Sequence, residues 1–339
     1  MDQKTAERTV VDRSAGAPPI TRVAVPAVSF AQHPGLVEKL QELYPGSRIN
    51  FEGGVHYKSE EATIAYLKGY EAAIVSFETI NDRVLTALPE LRVVSKLGVG
   101  LDGIDPRAMR RHGVRLGWTP GVNKTAVAEL ALGMAITALR HAFVCNAEIR
   151  QGQRLLTRLG RQFAGRTVGV HGVGEIGAEF IRLIQPFGCR VLGCDTKDRS
   201  DIYARYGVEP VEPEELWARS EVLSIHLSKN AYTRYLYNAD VLRALRPDCV
   251  LINTARGGII DEAALYRALT EGWIAAAALD VFDEEPPTDD RLLRLPNLIA
   301  TPHVGAASVE ARWEMGHTAI RGLTDNFIPV PGKYPFEFY

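Results

Sequence analysis

Cysteine is scarce in this chain. Four occur in 339 residues, at positions 145, 189, 194 and 249, and none forms a CxxC pair or joins a Cys/His cluster. No zinc site of the usual ligand spacing follows from that pattern. Three of the four lie in apolar, strand-like runs and read as small buried hydrophobes in a reducing compartment. Long apolar runs are missing as well. None approaches the roughly 18 residues that a membrane-spanning helix requires. There is no excess of one charge: 39 Lys and Arg stand against 41 Asp and Glu, a formal net charge of -2. That excludes the clustered basic surplus of a nucleic-acid-binding protein, and the short run Arg110-Arg111-His112 reads as a solvated helix end. The first seventeen residues are polar and lack the apolar core of a signal peptide. Residues 1–19 are therefore expected to form a disordered lead-in, and the cytoplasm is the default location. No repeat of solenoid period and no low-complexity tract occurs.

What is present is an ordinary globular composition, with 46% hydrophobic and 24% charged residues. The length suits two domains of roughly 100–200 residues each. From Ile20 onward short apolar runs alternate with helical patterns. Residues 22–27, 47–51, 72–76 and 91–97 read as strands, and residues 36–43, 60–68 and 82–88 as helices. Such alternation predicts parallel sheets with crossover helices. A turn at Thr119-Pro120-Gly121 is followed by one long helix, expected over 124–150. Its sparse polarity across 126–139 reads equally as a central interdomain helix or as a dimer helix. A second series starts at Arg166. Its expected strands are 167–170, 190–194, 222–226, 249–253, 274–279 and 298–300. Its expected helices are 175–187, 238–245 and 262–271. A last helical stretch, 308–327, leads to an aromatic tail at 329–339.

The strand 167–170 runs into His171-Gly172-Val173-Gly174-Glu175-Ile176-Gly177. A lone G-x-G-x-x-G is weak, but here a strand precedes it and an amphipathic helix follows. Gly172 permits the tight turn, Gly174 lets backbone approach a pyrophosphate, and Gly177 lets the helix pack on the sheet. The phosphates would rest on free N–H groups at the helix N-terminus. Asp195 ends the next strand, where the fold places an acid for the ribose hydroxyls, and its charge would favour NAD over NADP. His171, at the buried end of a strand, reads as a satisfied core histidine rather than a catalyst.

Moving a hydride between nicotinamide and a ketone requires a polarised carbonyl, a proton for its oxygen, and a grip on the neighbouring carboxylate. Arginine suits the carboxylate, histidine the proton, and an acid beside the histidine holds its tautomer. Three strand ends offer these groups. Arg256 lies in Asn253-Thr254-Ala255-Arg256-Gly257-Gly258, Glu284 and Glu285 follow Asp280, and His303 lies in Thr301-Pro302-His303-Val304-Gly305.

Those segments, with Gly172–Gly177 and Gly98-Val99-Gly100, resemble the D-isomer-specific 2-hydroxyacid dehydrogenases, the family of phosphoglycerate, hydroxypyruvate and glyoxylate reductase types. The resemblance covers nearly the whole chain from Ile20. It implies two Rossmann-like α/β domains: a flavodoxin-like substrate domain, residues 20–122 with 305–339, and an inserted NAD-binding doubly wound parallel sheet, residues 123–304. It implies Arg256 on the substrate carboxylate and carbonyl, His303 as acid/base and Glu285 as its partner, with Glu284 the second choice. Asp280 would bond the nicotinamide amide with the Ala255 backbone nearby, and Glu175 and Ile176 would offer N–H groups to the pyrophosphate. Val99 and Gly100 would present backbone to the substrate, and Lys96 would meet an anionic distal group or else be a strand-end surface lysine. A homodimer and closure of the interdomain cleft also follow from the resemblance.

Some positions depart from the family. Ser76 stands where phosphate-handling relatives carry Arg, which weakens a phosphoglycerate assignment. Ser228 replaces the usual proline of the adenine pocket edge. Residues 152–161 lack a frequent tryptophan and are rich in Arg. The expected function is an NAD-dependent D-2-hydroxyacid dehydrogenase or 2-oxoacid reductase. Its rivals are a phosphonate, phosphite or branched oxo acid as substrate, and an NAD-sensing, corepressor-like binding protein.

Overall fold

The computed structural model describes residues 20–53, 59–153 and 158–337. The expected lead-in at 1–19, residues 154–157 of the Arg-rich segment and the last two residues of the tail lie outside these. The chain divides into two compact units, one running to Asn123 and resuming at Ser308, the other Lys124–Ala307.

In the first unit the described residues form a five-stranded parallel sheet: β1 (Val23–Val25), β2 (Arg48–Ile49), β3 (Ala72–Val75), β4 (Val93–Lys96) and β5 (Arg115–Gly117), in the order β2-β1-β3-β4-β5. This is the flavodoxin-like doubly wound order. β1, β3 and β4 are buried along their whole length, which explains the continuous apolar sequence of β1 and β3; β4 ends in the buried Ser95 and Lys96. Helices cover both faces. One core side is built by Phe30, Leu36, Leu40 and Leu323, the other by Leu67, Val84, Leu85 and Met109. Each such side chain contributes roughly 1.5–3 kcal/mol on burial.

β5 escapes sequence reading because it is three residues long and begins with Arg115, whose guanidinium is buried against Asn326. The helix expected over 308–327 ends at Gly322. Asn326 Nδ2 caps it by donating to the Gly322 and Leu323 carbonyls. Gly322 and Gly117 must both be glycine: a Cβ on Gly117 would lie 2.3 Å from the Gly322 carbonyl oxygen.

The second unit holds, among the described residues, a seven-stranded parallel sheet of β6 (Thr167–His171), β7 (Arg190–Cys194), β8 (Glu209–Pro210), β9 (Val222–Ile225), β10 (Val250–Asn253), β11 (Ala276–Leu279) and β12 (Leu298–Ala300). The order is β12-β11-β10-β9-β6-β7-β8. Strand order reverses between β6 and β9, the switch point at which such sheets bind ligands beyond the strand carboxyl ends.

Two expectations need correction here. The single helix over 124–150 is two, Lys124–Leu139 and Ala142–Arg150, bent by 66°. His141 sits in the left-handed region at φ 51, while the Arg161 N–H takes the Leu139 carbonyl that would continue the helix. The helix expected over 175–187 ends at Ile184 and finishes as a 3-10 turn, since Pro186 removes a donor. Within the second unit, which runs to Ala307, the Gly305 N–H donates to the buried Asp280 carboxylate. Among the described residues no single helix is long and apolar enough to cross a membrane.

Candidate active site

The turn after β6 has the form that a dinucleotide requires. Gly172 has φ 92, and a Cβ there would lie 2.7 Å from the His226 carbonyl oxygen. A Cβ on Gly177 would lie 2.1 Å from the Gly172 carbonyl oxygen, so the helix Glu175–Ile184 approaches the turn as only glycine allows. At Gly174 a Cβ would meet nothing within 4 Å, and no side chain caps this helix start. The Glu175 and Ile176 amides belong to the first turn of this helix, at the positive end of its dipole.

Asp195, at the end of β7, is drawn into this turn. Its Oδ2 accepts the Val173 N–H at 2.7 Å and Arg199 Nε at 3.2 Å, and its Oδ1 accepts the Lys197 N–H at 2.8 Å. A carboxylate has about four acceptor positions, so a ribose hydroxyl can still be received. A further polar atom fits the same ligand: Thr254 Oγ1 is buried with no hydrogen-bond partner among the described residues. An uncapped helix start, an open glycine position, a strand-end acid and an orphan hydroxyl together fit NAD. His171 takes no part. Its Nδ1 lies 2.8 Å from the Tyr237 hydroxyl, and burial lowers its pKa to about 4 despite the opposing charge of Asp195.

Beyond β10, β11 and β12 the other residues of interest converge. His303 Nδ1 lies 2.8 Å from Glu285 Oε2, both side chains being 30% exposed. Glu285 Oε1 accepts the Phe282 N–H at 3.1 Å. Burial alone would raise the Glu285 carboxyl. The His303 hydrogen bond and charge, the Phe282 amide and the Arg256 charge outweigh it, and the pKa lies below the usual 4.5. Glu284 is exposed and outside this pairing. Arg256 is half-buried, with Nη1 donating to the Ala255 carbonyl at 2.7 Å. Gly257 lets its loop lie directly on the Glu285 turn, for a Cβ there would meet the Phe282 carbonyl oxygen at 1.8 Å.

Asp280, 1% exposed, organises the His303 loop. It accepts the Thr301 hydroxyl at 2.6 Å, the Val304 N–H at 2.8 Å and the Gly305 N–H at 2.8 Å. Its backbone carbonyl also accepts the His303 N–H at 2.8 Å. This network holds His303 at φ 54, a backbone state that costs a non-glycine residue roughly 1–3 kcal/mol and persists only where its surroundings impose it.

In the first unit Val99 and Gly100 follow β4. The Val99 carbonyl accepts the Trp118 indole N–H at 3.0 Å, and Gly98 turns at φ 112 against Met315. Lys96 is 6% exposed, with its ammonium on the Ser76 carbonyl. It is a buried, engaged cation rather than a surface lysine.

Sequence reasoning named no role for Asn253, Gly257 or Thr301. Asn253 ties the Arg256 loop from both sides, accepting the Ala255 N–H at 3.0 Å and donating to the Arg256 carbonyl at 2.9 Å. An amide side chain ending a buried apolar strand was the available signal. Among the described residues no cluster of His, Cys, Asp and Glu could hold a metal.

Residues 132–305 match the model of the D-isomer specific 2-hydroxyacid dehydrogenase NAD binding domain. The chain is 37% identical over 259 residues to a glyoxylate reductase from Korarchaeum cryptofilum, covering 74% of this chain and 78% of that protein. It is 34% identical to a D-3-phosphoglycerate dehydrogenase from Methanocaldococcus jannaschii, covering 80% of this chain but 54% of that longer protein. The solved structure of a glyoxylate reductase from Paecilomyes thermophila aligns with TM-score 0.78 at 30% identity, covering 90% and 94% of the two chains. The dinucleotide turn, the sheet order and these likenesses agree: the chain belongs to the D-isomer specific 2-hydroxyacid dehydrogenases and is an NAD-dependent oxidoreductase.

Proposed function

We propose that the protein interconverts a short 2-oxo acid and its 2-hydroxy acid, with His303 as proton donor and acceptor, Glu285 as its partner and Arg256 as the carboxylate anchor. The observation that carries this reading is the His303–Glu285 contact of 2.8 Å on a loop fixed by Asp280. Bound NAD supplies or accepts the hydride. In the reductive direction the His303 imidazolium gives the Nε2 proton to the carbonyl oxygen, and Glu285, on Nδ1, stabilises the charged ring before transfer. Arg256 grips the substrate carboxylate, and its charge polarises the adjacent carbonyl. Glu175 and Ile176 offer N–H groups to the pyrophosphate in the turn that Gly172, Gly174 and Gly177 shape, Asp195 receives a ribose hydroxyl, and Ala255 and Asp280 the nicotinamide amide. Val99 and Gly100 give backbone to the substrate. Glyoxylate and hydroxypyruvate, the substrates in two relatives' names, head the test panel. Loss of NADH absorbance with at least one short 2-oxo acid is expected, and silence across the panel defeats the assignment.

A homodimer belongs to the same reading. The helix Ala142–Arg150 buries no residue, and Phe143, Ile149 and Leu159 are 53%, 61% and 88% exposed, an apolar surface of the kind that marks association. Light scattering is expected to give twice the 37.3 kDa chain mass; a monomer at micromolar concentration contradicts this. All four thiols are free, which suits the reducing cytoplasm. Cell fractionation checks that location.

A further inference from the structure

Arg256 and Glu285 sit on separate loops, one after β10 and one after β11, and an exposed tyrosine bonds to both loops. Tyr235 donates its N–H to the carbonyl of Gly258, two residues past Arg256, at 2.7 Å. Its hydroxyl donates to Oδ2 of Asp283, two residues before Glu285, at 3.0 Å. The chain then runs on beside the Arg256 loop: the Tyr237 N–H donates to the Ile259 carbonyl and the Asp261 N–H to the Tyr237 carbonyl, each at 3.1 Å. The Asp283 end is fixed too. Its N–H donates to Glu262 Oε1 at 2.6 Å, and the Phe282 N–H before it donates to Glu285 itself. Gly258 is closely covered: a Cβ there would lie 2.9 Å from Asp283 Oδ1 and 2.8 Å from Lys229 Nζ.

Tyr235 is 38% exposed, so its ring adds little to the core. Its backbone stands in the left-handed region at φ 50. A residue with a Cβ keeps that state only where its surroundings impose it, and such residues gather at functional sites. Among the described residues three non-glycine residues take positive φ, and two of them, Tyr235 and His303, bond to side chains of the turn 282–285. For Tyr235 the imposing bonds are those that lead to the Arg256 loop and to Asp283. An arginine that grips a carboxylate with two parallel donors tolerates little misplacement, and an error of about 1 Å at a reacting group costs on the order of 10²-fold.

We propose that Tyr235 is a positioning residue: by tying the Gly258 carbonyl to the Asp283 carboxylate it sets the Arg256 guanidinium against the His303–Glu285 couple. It acts through Arg256. The inference rests on the reaction proposed above.

The test is a set of variants of the full-length enzyme, assayed with NADH and a short 2-oxo acid. Tyr235→Phe keeps the ring and the amide and loses the hydroxyl. It should lower kcat/KM by about 10-fold, the effect of one hydrogen bond to a charged acceptor, divided between a raised KM and a lowered kcat, with NADH affinity and melting temperature little changed. Asp283→Ala should match it, and decides the matter if Tyr235→Phe fails to fold. Asp283→Asn keeps an acceptor and should recover most of the activity. Tyr235→Gly suits the left-handed backbone yet should lose as much as Tyr235→Phe. Added to Arg256→Ala, Tyr235→Phe should cost less than about twofold more, because its effect passes through Arg256. A folded Tyr235→Phe protein within about twofold of wild type overturns the proposal. So does a full further loss of about 10-fold on the Arg256→Ala background, or a Tyr235→Gly protein as active as wild type. An Arg256→Ala protein of full activity defeats the catalytic reading itself, whereas a crippled Arg256→Ala beside an unimpaired Tyr235→Phe defeats this inference alone. Should no acid be turned over, calorimetry of oxamate, an unreactive 2-oxo acid analogue, on the NADH-saturated protein decides. Binding about 10-fold weaker in Tyr235→Phe supports the positioning of Arg256, and equal binding refutes it.

Discussion

His303→Ala is expected to lower kcat/KM for 2-oxo acid reduction by about 10²–10⁴-fold, the range of general acid catalysis, while NADH binding stays near wild type. On the proposed mechanism alanine removes the proton donor and leaves the Glu285 carboxylate without its imidazole partner. The dinucleotide turn, on β6 and β7, is untouched. Fluorescence titration with NADH beside initial rates separates the two effects; a variant within threefold of wild type in rate would remove His303 from the chemistry. The pH dependence belongs to the same couple. Glu285 has a carboxyl pKa below 4.5 in the folded protein, so its stabilising contribution is complete above the unfolded value and is lost as pH falls through the lowered one. The His303–Glu285 pair therefore survives mild acid. Glu285→Gln keeps an acceptor for the ring but removes the carboxylate charge, and is expected to lower kcat with NADH binding unchanged; an unaltered kcat would mean that the carboxylate acts only by position.

Arg256→Ala is expected to cost about 10²–10³-fold in kcat/KM, comparable with the loss of one transition-state donor, divided between a raised KM and a lowered kcat. The anchoring of the carboxylate appears in KM, and the polarisation of the carbonyl in kcat. Arg256→Lys should recover little, because an ammonium cannot reproduce a planar two-donor grip. The fold should tolerate both changes: Arg256 is half-buried, and Asn253 holds its loop through backbone groups alone. An unaltered melting temperature with the stated kinetic loss supports the assignment. Full rescue by lysine would show that Arg256 supplies only charge.

The central strands were legible because parallel strands buried on both faces are written in apolar residues, as in Ala72–Val75 and Val250–Asn253. β8, two residues containing a proline at a sheet edge, left no such trace. The helices Ser200–Tyr206 and Pro213–Arg219 went unread although Gly207 closes one and Pro213 opens the other. The break at His141 could not be seen locally, because Arg161 and Gly160, some twenty residues onward, impose it. At the site, the glycine turn and the Arg, Glu and His segments were visible as chemistry at strand ends. Two features were not: the enclosure of Asp280 by the 301–305 loop, and the burial of Lys96 with its ammonium on the Ser76 carbonyl. Both arise where separate loops meet, and spacing along the chain carries no record of such meetings.

The three donors on Asp280 have a consequence for how this segment can vary. The His303 backbone takes its place from Asp280 at the end of β11, and its imidazole from Glu285, at the start of the loop that follows. Between Glu285 and Asp289 the chain runs largely at the surface. Insertions or deletions there can lengthen or shorten the rim without displacing the proton-transfer group, so natural variation in loop size is free to accumulate there while the angle of His303 stays fixed.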